Sequence, residues 1–136
     1  RRTQETARPF AAQWGAAPRI EPRISEIPSP SEDLEARKAW LAGVMAGRWS
    51  DPAARRAGDH DLAAWRRGVL DAVREAREDT VFTSHFIAIN VVVGHLLGDE
   101  RVVAFRPDNC SITVVENDGG RLRLVELGRE AATEVR

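Results

Sequence analysis

Apolar residues recur every three or four positions in three stretches of the chain, which is the spacing of an amphipathic helix. The first stretch covers residues 1–14 and is followed by Gly15, a typical helix terminator. Its apolar face consists of Ala7, Phe10, Ala11 and Trp14. The second begins at Ser31, whose hydroxyl suits the cap position, and runs to about Trp49. Its apolar face consists of Leu34, Leu41, Val44 and Met45.

A third amphipathic helix follows a connector over residues 50–58 and begins at a carboxylate, either Asp59 or Asp61. Its buried stripe consists of Leu62, Trp65, Val69, Ala72 and Val73. The fourth helix, Phe86–Leu97, is apolar almost throughout and ends at Gly98. It is well short of the roughly 20 residues that a membrane-spanning helix needs, so no membrane segment is predicted.

Strand patterns lie between and after these helices. Residues 79–84 are β-branched and aromatic without a polar alternation, which predicts an interior strand of a parallel sheet. Short strands are also predicted over residues 19–26, where Pro22 suits a sheet edge, and over residues 101–105.

The C-terminal part predicts an antiparallel hairpin. Residues 110–116 and 121–127 flank Asn117-Asp118-Gly119-Gly120, a turn sequence that tolerates positive φ. The alternation of helices and strands, followed by this hairpin, indicates an α/β or α+β domain.

Length and composition limit the class of protein. The chain has 136 residues and 43% hydrophobic content, enough for one core, and a single domain over residues 1–136 is expected. Its 20 basic and 21 acidic residues nearly cancel, so neither nucleic acid nor an anionic membrane is favoured as a partner. The single cysteine, Cys110, fits a reducing compartment, and we expect a cytoplasmic protein.

Several common site motifs are absent from the sequence, among them the phosphate loop, the dinucleotide fingerprint, the Gly-x-Ser-x-Gly elbow and paired Cys-x-x-Cys. No cofactor is predicted. A zinc site is not supported, because His85 and His95 are ten residues apart and would lie on different faces of a helix. His60 lies between Asp59 and Asp61, where a helix cap is a simpler explanation than a metal.

His85 stands directly after the strand predicted over residues 79–84 and directly before the fourth helix. Chemistry in α/β proteins is concentrated at that end of a strand, and the first N–H groups of a helix favour an anion. The same position also suits a structural histidine whose hydrogen bonds are satisfied. The residues alone leave both interpretations open.

Three segments resemble motifs of the histidine phosphatase superfamily, in the branch (branch 1) that contains phosphoglycerate mutase-like phosphatases. Residues 2–7, Arg-Thr-Gln-Glu-Thr-Ala, resemble the Arg-x-x-x-Thr-Ala segment of that family. Residues 84–90, Ser-His-Phe-Ile-Ala-Ile-Asn, resemble its Ser/Thr-His-Gly motif and the apolar helix that follows. Residues 109–112, Asn-Cys-Ser-Ile, resemble the Asn-x-Ser/Ala-Ile segment before its last strands. The matches follow the order of the family and cover nearly the whole chain.

The resemblance implies a fold and an incomplete site. The fold is a three-layer α/β sandwich of the phosphoglycerate mutase type, with a mostly parallel sheet and a C-terminal antiparallel hairpin. The nucleophilic histidine of the family belongs to an Arg-His-Gly motif after the first strand, and this sequence has no Arg-His-Gly. The resemblance therefore implies that the first strand and the nucleophile precede Arg1, and that this fragment is inactive alone. We expect such a fragment to be marginally stable or to associate, for example as a homodimer.

The implied activity is that of a phosphomonoesterase, which acts on a small phosphorylated substrate through a phosphohistidine intermediate. Arg2 stands four residues before Thr6 and would grip two phosphate oxygens, whereas Arg1 does not match the motif. His85 would hydrogen-bond the transferring phosphoryl group and stabilise its developing charge. Phe86, where the family often has glycine, would place a ring beside the phosphate pocket. The competing hypothesis is a domain with the same fold that binds phosphate or a protein without catalysis.

The leaving alcohol also needs a proton. Glu26, in Ile24-Ser25-Glu26, resembles the Leu-x-Glu segment from which the family supplies that proton. The chain then departs from the family pattern, because Ile27-Pro28-Ser29-Pro30 replaces the usual glycine and aromatic positions. Glu32 and Asp33 are alternative acids, although both also suit the first turn of the second helix. The departure removes the hallmarks of a mutase and favours a phosphatase.

Overall fold

The computed structural model of the protein describes residues 1–132, and the last residues of the predicted domain, 133–136, lie outside the described part. Within residues 1–132 four α-helices form: α1 (Arg2–Trp14), α2 (Leu34–Met45), α3 (Leu62–Arg74) and α4 (Phe86–Leu97). Two antiparallel pairs of strands accompany them: β1 (Arg56–Ala57) with β2 (His60–Asp61), and β3 (Val114–Asp118) with β4 (Arg121–Glu126). Single turns of 3-10 helix occupy Pro22–Ile24 and Pro52–Ala54. The chain is a mixed α/β structure with small antiparallel hairpins.

Aspartates cap the N-termini of α2 and α3. Asp33 accepts a hydrogen bond from Ala36 N at 2.8 Å, and Asp61 accepts one from Ala64 N at 3.0 Å. Each bond satisfies a backbone donor that has no partner within its helix. The predicted cap at Ser31 is wrong, because its hydroxyl accepts instead from Asp33 N in the turn that precedes α2.

Glycine residues end two of the helices, and α2 ends earlier than predicted. Gly15 and Gly98 follow α1 and α4 with φ of 62° and 64°, as predicted, in the left-handed region that favours glycine. The second helix ends at Met45 rather than near Trp49. Trp49 instead donates its backbone N–H to the carbonyl oxygen of Glu100 at 2.9 Å, outside any helix.

The hydrophobic core lies between α2, α3 and α4. The predicted stripe of α3 is confirmed in outline, since Leu62, Val69 and Ala72 are buried. The neighbouring core residues are Ile27, Val44, Trp49, Ala54, Ala57, Leu70, Ile87, Ala88, Val91 and Val102. The tryptophans of α2 and α3, Trp40 and Trp65, pack against this core rather than lining a cleft. On the apolar face of α1, Ala7 and Ala11 are partly buried, whereas Phe10 and Trp14 are exposed and contact each other with ring centroids 5.6 Å apart.

Residues 1–132 form no parallel sheet, in contrast to the prediction for residues 79–84 and 101–105. A strand exists only where a neighbour supplies ladder hydrogen bonds, and the described residues supply none along residues 79–84. Of residues 101–105, only Arg101 takes part in an isolated antiparallel bridge, with Arg48. Buried Asn90 holds the end of the same segment, because its Oδ1 accepts from Ala104 N and Phe105 N.

The strand predicted over residues 19–26 is also wrong. Glu21 caps a 3-10 turn there, with Pro22 at its first position. The guanidinium of Arg23 donates to both carboxylate oxygens of Glu21 at 2.9 Å and to Glu75, which follows α3, at 2.8 Å. The hydrogen bonds from Arg23 lower the pKa of Glu21 to about 2. The segment is thereby fixed to the C-terminal end of α3 instead of to a strand.

The C-terminal hairpin is confirmed, with strands shorter than predicted. Asp118 pairs with Arg121, and Gly119 and Gly120 between them have φ of 59° and 97°. Asn117 docks the hairpin on α3: its Nδ2 donates to the carbonyl oxygens of three residues at 2.9 to 3.1 Å. These are Val73, Arg74 and Ala76, at the C-terminal end of the helix. The amide thus adds a donor to carbonyls at and just after the helix end, where intrahelical partners are no longer available.

None of the helices in the described part of the chain combines the length and the apolar character needed to cross a bilayer.

His95, on α4, contacts α3 through its imidazole ring. Arg74 Nη2 lies 3.1 Å from His95 Nε2, and because a guanidinium only donates, the ring nitrogen accepts. Reduced hydration and the positive charges of Arg74 and Arg66 lower the pKa of His95 below its usual 6.5. As the pH falls through 6.5, the unfolded chain therefore binds this proton first, and the folded state loses stability until its own pKa is reached.

We expect the free energy of unfolding to fall more between about pH 7.5 and about pH 5.5 in the native chain than in His95→Gln. Glutamine keeps an acceptor for Arg74 but does not titrate. Urea unfolding of both proteins at the two pH values measures the difference. An equal loss in both would show that protonation of His95 does not contribute.

Candidate functional site

The N-terminus of α4 contains His85 and contacts Glu26, two of the predicted site residues. His85 is the N-cap residue of α4, with φ of −116° and ψ of 161°, and its side chain makes no capping hydrogen bond. His85 is partly buried. Since its side chain makes no capping bond, the imidazole is not required to complete the helix.

Glu26 supplies the carboxylate at this helix end. Its Oε1 accepts a hydrogen bond from Ile87 N, the second residue of α4, at 3.2 Å and another from Ile27 N at 3.0 Å. A carboxylate in this position is stabilised by the positive end of the helix dipole. Both bonds go to Oε1, and within residues 1–132 no protein group hydrogen-bonds Oε2.

Two hydroxyl groups join the segments of the site. Ser84 Oγ donates to the carbonyl oxygen of Ile24 at 2.7 Å, which holds the segment of Glu26 against α4. Thr83 Oγ1 donates to the carbonyl oxygen of Thr3 at 3.0 Å, which holds the first turn of α1 against the same segment. These contacts span 60 and 80 residues of sequence.

Arg2 reaches the site region through this second contact, since it precedes Thr3 in the first turn of α1. Its side chain is exposed. Thr6, the threonine of the Arg-x-x-x-Thr-Ala segment, donates its hydroxyl to the carbonyl oxygen of Arg2 at 3.1 Å and so closes one helical turn between them. The structure thus brings the first turn of α1 to the segment that precedes His85, and within residues 1–132 no hydrogen bond or ion pair joins the Arg2 side chain to Glu26 or His85.

Backbone donors remain at the same helix end. Within the described part of the chain, the N–H groups of Phe86 and Ala88 have no hydrogen-bond acceptor; Phe86 is partly buried, whereas Ala88 is 1% exposed and belongs to the core. Free N–H groups and the helix dipole together favour a bound anion. The arrangement combines these donors with an imidazole and a carboxylate, the groups that phosphoryl or acyl transfer requires.

Other predicted residues lie elsewhere or have other contacts. Phe86 is partly buried and packs against the hydrophobic core, so its place beside a phosphate pocket stays a prediction. Asp33 is engaged as the cap of α2, and Glu32 is exposed. Of the three candidate acids, Glu26 therefore has the contact with α4. Across residues 1–132 no group of three or more His, Cys, Asp or Glu side chains is arranged to hold a metal ion.

The Asn-Cys-Ser-Ile segment belongs to a different part of the structure. Asn109 donates its backbone N–H to the carboxylate of Asp108 at 2.8 Å, and Asp108 pairs with Arg129. Cys110 is exposed, with a positive φ of 57°. Among the described residues no hydrogen bond links this segment to His85 or Glu26.

The sequence interpretation missed Thr83 and Ser84 as the residues that join the site. Their position directly before His85 was the available signal, but the acceptors of both hydroxyls are distant in sequence. It also missed Arg23, which fixes the turn that precedes Glu26.

Comparison with known proteins identifies the class of protein. The family model of the histidine phosphatase superfamily (branch 1) matches residues 1–130. This chain therefore belongs to the histidine phosphatase superfamily, as its motifs predicted. Membership indicates phosphatase- or mutase-type chemistry. Neither the curated proteins nor the solved structures contain a match to the chain.

Proposed function

We propose that this chain is part of a phosphomonoesterase that hydrolyses a small phosphorylated substrate through a phosphohistidine intermediate. The supporting observation is the contact of Glu26 with the N-terminus of α4 directly beside His85. An imidazole, a carboxylate with one free oxygen and unpaired N–H groups there match the needs of phosphoryl transfer. Membership of the superfamily supports the same chemistry.

In this proposal the phosphoryl group lies against the first turn of α4. His85 and Arg2 donate to its oxygens, and the backbone N–H groups of the helix add to the positive environment. A nucleophilic histidine attacks phosphorus, the bond from phosphorus to the alcohol oxygen breaks, and that oxygen takes a proton from Glu26. Water then attacks the phosphohistidine, its proton passes to Glu26, and inorganic phosphate is released.

The proposal assigns the nucleophile to residues outside the printed sequence, because none of its three histidines follows the Arg-His-Gly pattern. His60 lies in β2 and His95 contacts Arg74, both away from the motif of His85. A segment that carries the nucleophile would also contribute a strand beside residues 79–84, and with it the mostly parallel sheet of a three-layer sandwich. The 136 residues alone would then be inactive, and the exposed Cys110 suits a cytoplasmic protein.

The test uses the protein extended by its native upstream sequence. We expect hydrolysis of p-nitrophenyl phosphate, and acid-labile, base-stable label on the protein after a rapid quench with phosphate-labelled substrate. Hydrolysis without any labelled intermediate would remove the phosphohistidine step. An upstream sequence that contains Arg-His-Gly but confers no hydrolysis would contradict the proposal.

The second candidate is a non-catalytic domain that binds phosphate or a protein with the same fold. The absence of Arg-His-Gly from the 136 residues favours it. It predicts that the upstream sequence also lacks the motif, and that phosphate shifts the His85 ring resonances without any turnover. Reading the upstream gene sequence separates the two functions at the lowest cost.

Replacing Glu26 with glutamine tests its role as the acid. Glutamine keeps an oxygen that accepts from Ile27 N and Ile87 N but has no proton to give. We expect kcat/KM for an alkyl phosphate, which reports phosphoryl transfer to the histidine and not the later attack of water, to fall by about 100-fold or more, since that leaving group needs protonation. For p-nitrophenyl phosphate, whose leaving group needs little help, kcat/KM should change by less than about threefold.

Glu32→Gln is the matched control for this measurement, because Glu32 is exposed. It should leave both rates unchanged. Equal losses of kcat/KM for the two substrates in Glu26→Gln would show that the carboxylate positions α4 and is not the acid.

A further inference from the structure

Residues 24–27, here called the acid segment, contain Glu26 and connect a 3-10 turn to the hydrophobic core. Ile24 is the last residue of that turn and is partly buried. Ile27, at the other end, is 3% exposed and belongs to the core. Glu26 itself lies in neither a helix nor a strand. Its position therefore depends on the contacts that the acid segment makes with other parts of the chain.

Within residues 1–132 two hydrogen bonds join the acid segment to the region of α4. Ser84 Oγ donates to the carbonyl oxygen of Ile24 at 2.7 Å, and Ile87 N donates to Glu26 Oε1 at 3.2 Å. The two donors lie on either side of His85 in the sequence. The Ser84 bond is the shorter of the two, and it holds the backbone of the acid segment rather than the carboxylate.

The chain before the acid segment is held to α3 by an ion pair. Arg23 Nη2 lies 2.8 Å from the carboxylate of Glu75, and the two side chains are 37% and 59% exposed. Exposed ion pairs contribute little to stability and are weakened by salt. This pair also ends at α3 and makes no link to His85. The Ser84 bond is thus the backbone link between the acid segment and the residues that adjoin His85.

We propose that Ser84 is a positioning residue that sets the place of the Glu26 carboxylate relative to His85. This inference rests on the proposed function, in which Glu26 protonates the leaving oxygen. A general acid must lie within hydrogen-bond reach of the atom it protonates, and a misplacement of about 1 Å can cost about 100-fold in rate. Ser84 acts through the carbonyl group of Ile24 and contacts no reacting atom in this mechanism.

The proposal predicts a loss that depends on the leaving group. In the protein extended by its native upstream sequence, Ser84→Ala should lower kcat/KM for an alkyl phosphate such as ethyl phosphate by about tenfold or more. For p-nitrophenyl phosphate, whose leaving group needs little protonation, kcat/KM should fall by less than about twofold. Ser84→Thr keeps the hydroxyl and should recover the rate with the alkyl phosphate to within about threefold of the native value.

A double variant separates the acid from other roles of Ser84. In the Glu26→Gln background, Ser84→Ala should cause no further loss of kcat/KM for the alkyl phosphate, because both changes act on the same proton transfer. A further tenfold loss in that background would show that Ser84 acts elsewhere, and would overturn the proposal.

Thr83→Val is the matched control, because it removes the neighbouring hydroxyl and keeps the shape of the side chain. Thr83 Oγ1 donates to the carbonyl oxygen of Thr3 in α1 and not to the acid segment. The variant should therefore change kcat/KM for the two substrates by the same factor. A general loosening of the chain before α4 would give the same equal change in Ser84→Ala, and that result would overturn the proposal.

Amide hydrogen exchange measures the position of Glu26 without turnover. The N–H group of Ile87 has Glu26 Oε1 as its acceptor, so its exchange reports whether the carboxylate stays at the helix end. Ser84→Ala should accelerate this exchange by about fivefold or more, whereas Thr83→Val should not. Val91, which is 3% exposed within α4, is the internal reference and should exchange at the native rate in both variants.

Unchanged exchange at Ile87 in Ser84→Ala would overturn the proposal. Should Ser84→Ala also accelerate exchange at Val91, Ser84→Cys decides, because it keeps the size of serine with a weak donor. Equal losses of kcat/KM for the two substrates in that variant would overturn the proposal as well. A native protein that hydrolyses neither substrate contradicts the proposed function instead, and exchange at Ile87 then decides alone whether Ser84 positions Glu26.

Discussion

Replacing His85 with alanine is expected to lower kcat for p-nitrophenyl phosphate by about 1,000-fold in the protein that includes its upstream sequence. His85 is the N-cap residue of α4, and in the proposed mechanism its ring stabilises charge that develops on the phosphoryl oxygens. The fold should survive, because the His85 side chain makes no capping hydrogen bond. Steady-state kinetics and a thermal melt of the same preparation measure both effects.

His95→Ala is the matched control, since His95 lies on the same helix but near its C-terminal end, where it contacts Arg74. Its kcat should stay within about threefold of the native value. A His85→Ala protein with native kcat would remove His85 from the mechanism. A loss of the same size in His95→Ala would indicate damage to α4 rather than lost chemistry.

The helices were predictable because their signals are local. The apolar spacing of α3 and the glycines after α1 and α4 act within a few residues. The start of α2 was placed too early for a related reason. Ser31 and Asp33 both suit a cap, and only the geometry of the turn decides which of them accepts from the helix.

The parallel sheet could not be settled from local sequence. A β-branched, apolar segment such as residues 79–84 prefers an extended conformation. It forms a strand only when an adjacent strand supplies the hydrogen bonds. Within residues 1–132 the Thr83 and Ser84 hydroxyls hold this segment instead of a ladder. The same limit applies to residues 19–26, where the ion pairs of Arg23 decided the conformation.

The candidate site residues were predicted from the resemblance to a family more than from the periodicity and local pattern of the sequence. Periodicity placed His85 before α4, but nothing in the local pattern connected it with Glu26. Their association depends on the bond from Ile87 N to Glu26, which spans 61 residues of sequence. The order of the family motifs along the sequence predicted that the two residues belong to one site, whereas the spacing of apolar residues did not. The bond also explains how Glu26 remains at the helix end although the residues after it depart from the family pattern.

Replacing Asn90 with leucine is expected to lower the free energy of unfolding by about 3 kcal/mol. Asn90 is 0% exposed. Its Nδ2 donates to the carbonyl oxygen of Phe86 at 3.0 Å, and its Oδ1 accepts from Ala104 N at 2.8 Å and Phe105 N at 3.1 Å. Leucine fills a similar volume but leaves both N–H groups without an acceptor. Each unsatisfied buried donor costs about 1 to 3 kcal/mol.

Urea unfolding followed by circular dichroism measures this loss, with Asn109→Leu as the control. Asn109 is exposed, so its replacement should change stability by less than about 0.5 kcal/mol. In Asn90→Leu a loss below about 1 kcal/mol would mean that water reaches the two N–H groups. A loss of the expected size would establish that one amide side chain, in place of a neighbouring strand, anchors residues 104 and 105 to α4. It would also explain how residues 104 and 105 keep their position without the hydrogen bonds of a β-sheet.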